Sequence, residues 1–247
     1  MGKNAKKGGN DEPENVDLPQ EDELESSLLF GNVTFENIKT WKAKYHKIEI
    51  FCMADDPTIG CYIKPISAAL LYRLANNLRR LDSSDISHIG RTVFANCFLG
   101  GSNCLRDPDN INTMSMYASA IDFASDAVLP HYRTQQAKEV GNWTGDEELV
   151  KRFEFLQEME GKVIALCVGA GDECKYCLLK EPTPNMVSKN LRNTLTDLYL
   201  EAGQNVLREC WLEGDESLKT LFTFENIAAA WEAAELVKPL ATNRFTM

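Results

Sequence analysis

The sequence predicts an α+β protein that is mainly helical and consists of two tandem modules, each with a helix, a β-hairpin and about three helices. Three observations lead to this prediction. Short segments of alternating apolar and polar residues are joined by turns rich in Gly and Asp, which is typical of hairpins. Longer segments carry apolar residues at the spacing of one helix face. The whole order of elements then recurs, which indicates an internal repeat.

The elements of the first module follow from local periodicity. Phe35, Ile38 and Trp41 indicate a short helix, and the turn at 55–57 separates two strands. We predict a helix over 34–44, strands over 45–52 and 60–64, and helices that carry Leu71 to Leu81, Ile86 to Cys97, and a last stripe of Ile111, Met114, Ala118, Ile121 and Val128.

The second module repeats this order. Leu149, Phe153 and Leu156 indicate its first helix, and the glycine-containing turn at 169–172 separates its two strands. We predict a helix over 146–160, strands over 162–167 and 175–180, helices around 184–199 and 202–212, and a last helix that carries Phe224, Ile227, Trp231 and Ala234.

The register of the repeat can be read from matching residues. Cys52 matches Cys167, which follows 115 residues later. The offset is 116 for Cys61 with Cys177 and 117 for Pro65 with Pro182. In the helical part that follows, the offset is 113, which is smaller by about one helical turn. The pairs at an offset of 113 include Gly90 with Gly203, Val93 with Val206, Cys97 with Cys210, Gly101 with Gly214, Ile111 with Phe224, and Met114 with Ile227. We therefore predict a duplication.

One further repeat is out of register. The pentapeptide at 34–38 recurs at 223–227, an offset of 189, and we interpret this match as coincidence.

The domain boundaries follow from composition. Eight carboxylates between Asp11 and Glu25, with little apolar surface, predict a disordered arm. The predicted divisions are a disordered acidic arm over 1–27, module copy 1 over 28–130, a polar connector over 131–145, module copy 2 over 146–240 and a tail over 241–247.

Charge and hydropathy exclude several classes of function. The formal net charge is −11, whereas a protein that binds nucleic acid normally presents a basic face, so we predict no nucleic-acid partner. No apolar run reaches the ~18–20 residues that span a bilayer, so no membrane partner is expected. Since no secretory signal is visible, we expect a reducing compartment in which the eight cysteines form no disulfides.

Residues with catalytic or metal-binding potential are scattered. Cys174 and Cys177 form a single Cys-x-x-Cys, whereas a structural zinc site needs four ligands, so this pair is only a weak metal-binding alternative. The other cysteines fall on apolar faces, where they pack as small hydrophobic groups. The three histidines, His46, His88 and His131, share no motif. We predict no enzyme activity, no catalytic residues and no cofactor.

The four tryptophans are candidates for partner contacts because aromatic side chains often dominate interfaces. Trp41, Trp211 and Trp231 lie on amphipathic faces, which favours core packing. Trp143 lies in the connector and is either a plug between domains or an exposed anchor.

Several blocks of the sequence together resemble the small tail assembly chaperones of tailed bacteriophages. They are Trp41 to Tyr45, the hairpin end Ile63 to Pro65, and Asn96 to Gly101 after two helices, with the related ending Glu209 to Glu216 in the second copy. The resemblance covers nearly all of the predicted ordered chain and implies a non-catalytic morphogenesis protein. Such a protein binds the tape measure protein or tail tube subunits in the cytoplasm of a bacterial host.

Two other functions stay open at this stage. The same duplicated module is also compatible with a structural virion component, such as a head–tail or tail fitting, and the third alternative is a cysteine-based metal-binding protein. Self-association into a homo-oligomer is compatible with all three, and the sequence assigns no partner-binding residues.

Overall fold

The fold is α+β and mainly helical, as predicted, with two small antiparallel sheets. The computed structural model describes residues 29–80, 83–169, 173–195 and 198–238. The predicted arm over 1–27 and the predicted tail over 241–247 lie outside these described residues.

The first half begins at a capped helix. The Thr34 hydroxyl accepts a hydrogen bond from the N–H of Asn37 at 3.3 Å, which satisfies a donor that the first helical turn would otherwise leave unpaired. The elements are α1 (Phe35–Tyr45), β1 (Glu49–Cys52), β2 (Gly60–Ile63), α2 (Ala68–Arg80), α3 (Ser83–Cys97), β3 (Phe98–Gly101), a 3-10 turn (Asn103–Arg106) and α4 (Ile111–Asp126).

The second half has the same order of elements after an additional strand and helix. Asp146 caps its first long helix by accepting hydrogen bonds from the N–H groups of Glu148 and Leu149, at 2.9 and 3.0 Å. The elements are β4 (His131–Thr134), α5 (Ala137–Thr144), α6 (Glu147–Glu160), β5 (Val163–Val168), β6 (Lys175–Lys180), α7 (Pro184–Leu195), α8 (Tyr199–Cys210), β7 (Trp211–Gly214), a 3-10 turn (Glu216–Lys219), α9 (Phe224–Ala234) and a last 3-10 turn (Glu235–Val237).

The segment predicted as a polar connector, 131–145, instead forms part of the second sheet. Its strand β4 pairs with β5, so the strand order of this sheet is β4-β5-β6-β7. Trp143 on helix α5 packs against Tyr132 of β4, with ring centroids 5.7 Å apart. The indole is therefore half-buried within the second half, rather than between two domains or free in solvent.

Each sheet also contains a strand that the periodicity does not predict. β3 and β7 follow helices α3 and α8 directly and pair with β2 and β6. Each is only four residues long and ends in glycine, so its sequence resembles the end of a helix. The partner strand, and not local preference, determines these two strands.

The two halves share the details of this pairing. Cys61 lies opposite Gly101 in the first sheet, and Cys177 lies opposite Gly214 in the second. Each pairing has a register shift one residue later. The origin of this match by duplication stays a prediction.

A hydrogen bond at this edge is also common to both halves. Ser102 Oγ accepts from the N–H of Gly60 at 3.1 Å, and Asp215 Oδ2 accepts from the N–H of Tyr176 at 3.0 Å. In both cases a side chain just after the third strand binds the backbone of the second strand.

Helix packing depends on one glycine in each half. A Cβ on Gly90 would collide with the backbone oxygen of Tyr117, and a Cβ on Gly203 would collide with that of Ala230. The two pairs differ by the same 113 positions that the sequence repeat predicts. These glycines allow α3 to approach α4, and α8 to approach α9, at backbone contact distance.

The main core is continuous between the halves. One cluster joins Cys61 and Leu71 of the first half to Leu179, Leu207 and other residues of the second. Smaller clusters cover the opposite faces of the sheets, under α1 in the first half and under α5 and α6 in the second. The two halves of the chain are therefore packed together.

The buried face of α4 differs from the predicted stripe. Ile111 and Met114 are exposed by 71% and 49%, whereas Thr113, Met116 and Ala120 are buried. Ile121 is buried as predicted, but the prediction was wrong for Ile111 and Met114, because it counted apolar residues without a constraint on the helix phase. The tight contact at Gly90 supplies that constraint by turning the 113/116/120 face inward.

The out-of-register pentapeptide has a physical cause. Thr34 and Thr223 are both helix N-caps, and in each case the threonine hydroxyl accepts from the N–H of the asparagine three residues later. The shared segment is thus a helix-starting sequence that is used at two different places in the fold, and the interpretation as coincidence was incomplete.

Candidate functional site

An open groove of about 800 Å³ lies beside strand β1 and along the C-terminal half of helix α4. Glu49 and Phe51 line it from the strand, since alternate residues of a strand face the same side. Ser119, Asp122 and Asp126 line it from the helix, where they are spaced by about one turn. Apolar and acidic groups thus share one concave surface.

Two aromatic rings hold the walls of the groove together. The ring of Phe51 meets that of Phe123 edge to face, with centroids 5.9 Å apart and an interplanar angle of 77°. Such a pair is favoured by the ring quadrupoles and adds to the apolar area that both rings bury. This contact fixes the spacing between the strand and the acidic face of α4.

The corresponding place in the second half is occupied. β5 has the position in its sheet that β1 has in the first, and β4 pairs along its outer edge. Arg133 of β4 binds Glu232 of α9 at 2.7 Å, and the ring of His131 stacks on Trp231. In the described part of the first half, β1 pairs with β2 alone.

The charge of the groove is negative. The one cation of its lining, Lys47, binds Glu49 at 2.6 Å, and this hydrogen bond raises the pKa of Lys47. The carboxylates of Asp122 and Asp126 form no ion pair within the described residues that line the groove. The surface is therefore suited to a basic ligand.

A second, smaller cavity of about 590 Å³ adjoins the groove at Leu129 and Phe224. Its lysine, Lys175, binds Glu225 at 2.6 Å. The hydrogen bond from Lys175 is the main cause that lowers the pKa of Glu225. Because the prominent charges of this cavity bind each other, it is a weaker ligand site than the groove.

The Cys-x-x-Cys pair forms no site. Cys174 is bonded to Cys167 in a disulfide, with Cα atoms 6.3 Å apart, whereas Cys177 is fully buried in the core. The described residues contain no group of three or more His, Cys, Asp or Glu side chains that could hold a metal ion. The expectation that the cysteines form no disulfides was wrong for Cys167, because the β5-β6 hairpin brings its strand next to Cys174.

The buried thiols have raised pKa values. Burial raises the pKa of Cys61 to about 12, and burial is also the largest cause of the raised pKa values of Cys97, Cys177 and Cys210. A thiol that stays protonated is a poor nucleophile and a poor metal ligand. These side chains therefore fill space in the core.

The histidines lie in different places. His46 ends α1 with a positive φ of 62°, and His88 is exposed on α3. His131 contacts the Leu129 carbonyl oxygen at 2.9 Å and Glu232 at 3.5 Å. No two of them share a site among the described residues.

Three of the tryptophans pack against neighbouring side chains, as expected, although Trp211 lies in strand β7 and not on a helix. Trp41 lies against Tyr62, Trp231 against His131, and Trp211 lies under the ammonium group of Lys219. All three are partly buried.

Sequence reasoning does not single out the residues of the groove. Asp122 and Asp126 belong to a chain with many carboxylates, where a solvated face is the ordinary interpretation. The available signal is a difference between the repeats, because Ala118 and Ser119 correspond to Trp231 and Glu232. Small side chains in one half replace the side chains that contact β4 in the other.

No protein-family model, curated protein or solved structure matches this chain significantly. No described helix is long and apolar enough to cross a membrane.

Proposed function

We propose that this protein is a non-catalytic binding protein that holds a partner polypeptide in the groove beside β1, as an assembly chaperone or adaptor does. One observation carries the proposal: the second half fills the corresponding place with its own β4, whereas the described residues of the first half leave it open. An open strand edge next to an apolar surface is a common mode of peptide recognition.

The lining of the groove supports binding over catalysis. A covalent mechanism needs a nucleophile next to a base, and metal-assisted hydrolysis needs a cluster of ligands. Among the lining residues, the one hydroxyl nucleophile is Ser119, and no histidine or thiol lies with it. The carboxylates and aromatic rings instead provide charge and apolar area for a partner.

The resemblance to tail assembly chaperones supplies a biological setting for the proposal. The partner would then be a tape measure protein or a tail tube subunit, held before the virion matures. An acidic body with a net charge of −11 resists self-aggregation while it carries such a partner.

Co-expression with a tape measure protein and a tail tube subunit, the partners that the resemblance implies, tests the proposal. We expect the wild-type chain to retain one of them on a column, and Ser119→Trp, which fills the exposed side of the groove, to lose it. Ser125→Trp is the matched control, because Ser125 is also exposed on α4 but does not line the groove. Retention of neither partner by the wild-type chain would refute the proposal.

Mass spectrometry of purified particles tests how the protein acts. A chaperone should be absent from mature virions, whereas a stoichiometric amount in the particle would overturn the chaperone role in favour of a structural component.

A further inference from the structure

We propose that the outer edge of β1 binds an extended segment of a partner protein as an added antiparallel strand, and that basic side chains of this segment face Asp122 and Asp126. This inference rests on the proposed binding function and specifies its mode. Its support comes from the backbone of β1, from the arrangement in the second half, and from the charge of the groove.

The backbone of β1 offers donors on its outer side. The N–H of Met53 donates to Ile59 of the neighbouring strand at 2.9 Å. Since the direction of the N–H groups alternates along an antiparallel pair, those of Ile50 and Cys52 point away from β2. Ile50 and Cys52 are both exposed, and no described strand pairs with this outer edge of β1.

The second half shows how such an edge is used. Cys167, which corresponds to Cys52, lies opposite Tyr132 of β4, and Gly169 donates to the Pro130 carbonyl oxygen at 2.8 Å. The same alternation directs the N–H groups of Tyr132 and Thr134 toward β5. A partner strand on β1 would be bound in the same way, with the N–H groups of its alternate residues donating to carbonyl oxygens of β1.

The charges determine which segment fits. Arg133 places its guanidinium group on Glu232, whereas the first half has Ser119 at that position and carboxylates further along α4, at Asp122 and Asp126. The small Ala118 replaces Trp231 and leaves space for a side chain of the partner. A strand with basic residues at alternate positions therefore complements the groove.

Other occupants fit this charge less well. The chain's own arm carries eight carboxylates between Asp11 and Glu25, so most of it has the same sign as the groove. A second copy of this chain has a net charge of −11 and would be repelled by the first. Both are distinguishable outcomes of the test below.

A labelled peptide with the sequence of residues 128–136, which contains β4, is the probe. Its affinity for the full chain is measured by fluorescence anisotropy, and amide hydrogen exchange locates it. We expect slower exchange at Ile50 and Cys52. N-methylation of the peptide amides that correspond to Tyr132 and Thr134 should weaken binding by about tenfold or more, because these amides would donate to β1. N-methylation at the positions of His131 and Arg133 should leave binding intact.

The charge is tested on the protein. The double variant Asp122→Asn and Asp126→Asn should weaken binding by about tenfold at low salt, and less at high salt. Glu158→Gln, on an exposed position of α6 away from the groove, is the matched control. Circular dichroism confirms that each variant is folded.

Several results would overturn the inference. They are equal effects of the two N-methylation patterns, no change in exchange at Ile50 and Cys52, or tighter binding after removal of residues 1–27, which would make the arm the occupant. Concentration-dependent dimers that Ile50→Pro abolishes would make a second copy the occupant. If the co-expressed partner is retained by Ile50→Pro as well as by wild type, the strand mode fails while the binding function stands.

Discussion

The side-chain oxygen of Asn76 on helix α2 accepts a hydrogen bond from the backbone N–H of Leu200 on helix α8, at 3.0 Å. Leu200 lies in the first turn of α8, whose N-cap residue, Leu198, provides no side-chain acceptor. The first half of the chain thus supplies the cap of a helix in the second half. The interface between the halves therefore contains a directional bond as well as apolar contacts.

Asn76→Ala should lower the free energy of unfolding by about 1 kcal/mol, the usual cost of removing a helix cap. Urea unfolding followed by circular dichroism measures this as a lower midpoint with an unchanged slope. Asn77→Ala, one position later on α2, is the control and should change stability by only a few tenths of a kcal/mol. Equal losses in the two variants would show that the bond to Leu200 contributes nothing specific.

Gly203→Ala should be severely destabilising, by about 3 kcal/mol or more, because the new Cβ would collide with the backbone oxygen of Ala230 and force α8 away from α9. Helix propensity alone would predict a gain of up to about 1 kcal/mol, so the sign of the change separates the two effects. Glu209→Ala, at an exposed position of the same helix, is the control. A Gly203→Ala protein as stable as wild type would contradict the close packing of these helices.

Much of the fold follows from sequence periodicity, whereas its additional strands do not. The predicted strand over 175–180 and the predicted helix over 146–160 agree closely with β6 and α6, because their apolar residues contact one continuous surface. β3, β4 and β7 were missed because each is a four-residue strand that is formed by pairing with a neighbouring strand.

The groove was missed for a related reason. The groove lies where the second half has strand β4 and the part of the first half that the structure describes has no strand, and a single sequence does not show an unpaired edge. The signals that point to it are the replacement of Trp231 by Ala118 and of Glu232 by Ser119 at matching positions of the predicted repeat.

The cysteines should react in two classes. Titration of the unfolded, unreduced chain should count six thiols, and reduction should raise the count to eight, because Cys167 and Cys174 are bonded to each other. In the native protein, the exposed Cys52 and the half-buried Cys104 should react first with an aromatic disulfide reagent, because the other four free cysteines are buried. A count of eight before reduction would show that the disulfide is absent under the conditions used.

Alkaline pH should destabilise the protein through its buried thiols. Burial raises the pKa of Cys61 from its usual value near 9 to about 12, so the folded state holds this proton more tightly than the unfolded state. The resulting stabilisation is complete below pH 9 and is lost as the pH rises from about 9 to about 12. Urea unfolding at several pH values should show this decline, and Cys61→Ala should reduce its slope. An identical slope in the variant would contradict the buried position of the thiol.

The two halves should unfold together because they share one core. If Gly203→Ala destabilises the second half, amide hydrogen exchange should accelerate not only in α8 and α9 but also in α3 and α4, by a similar factor. The same experiment on Asn76→Ala probes the coupling from the first half, since this change removes the bond to Leu200. Faster exchange confined to the mutated half would mean that each module is an independent folding unit, with an interface that contributes little to stability. A common acceleration would instead mean that the open groove of the first half is held in shape by the second.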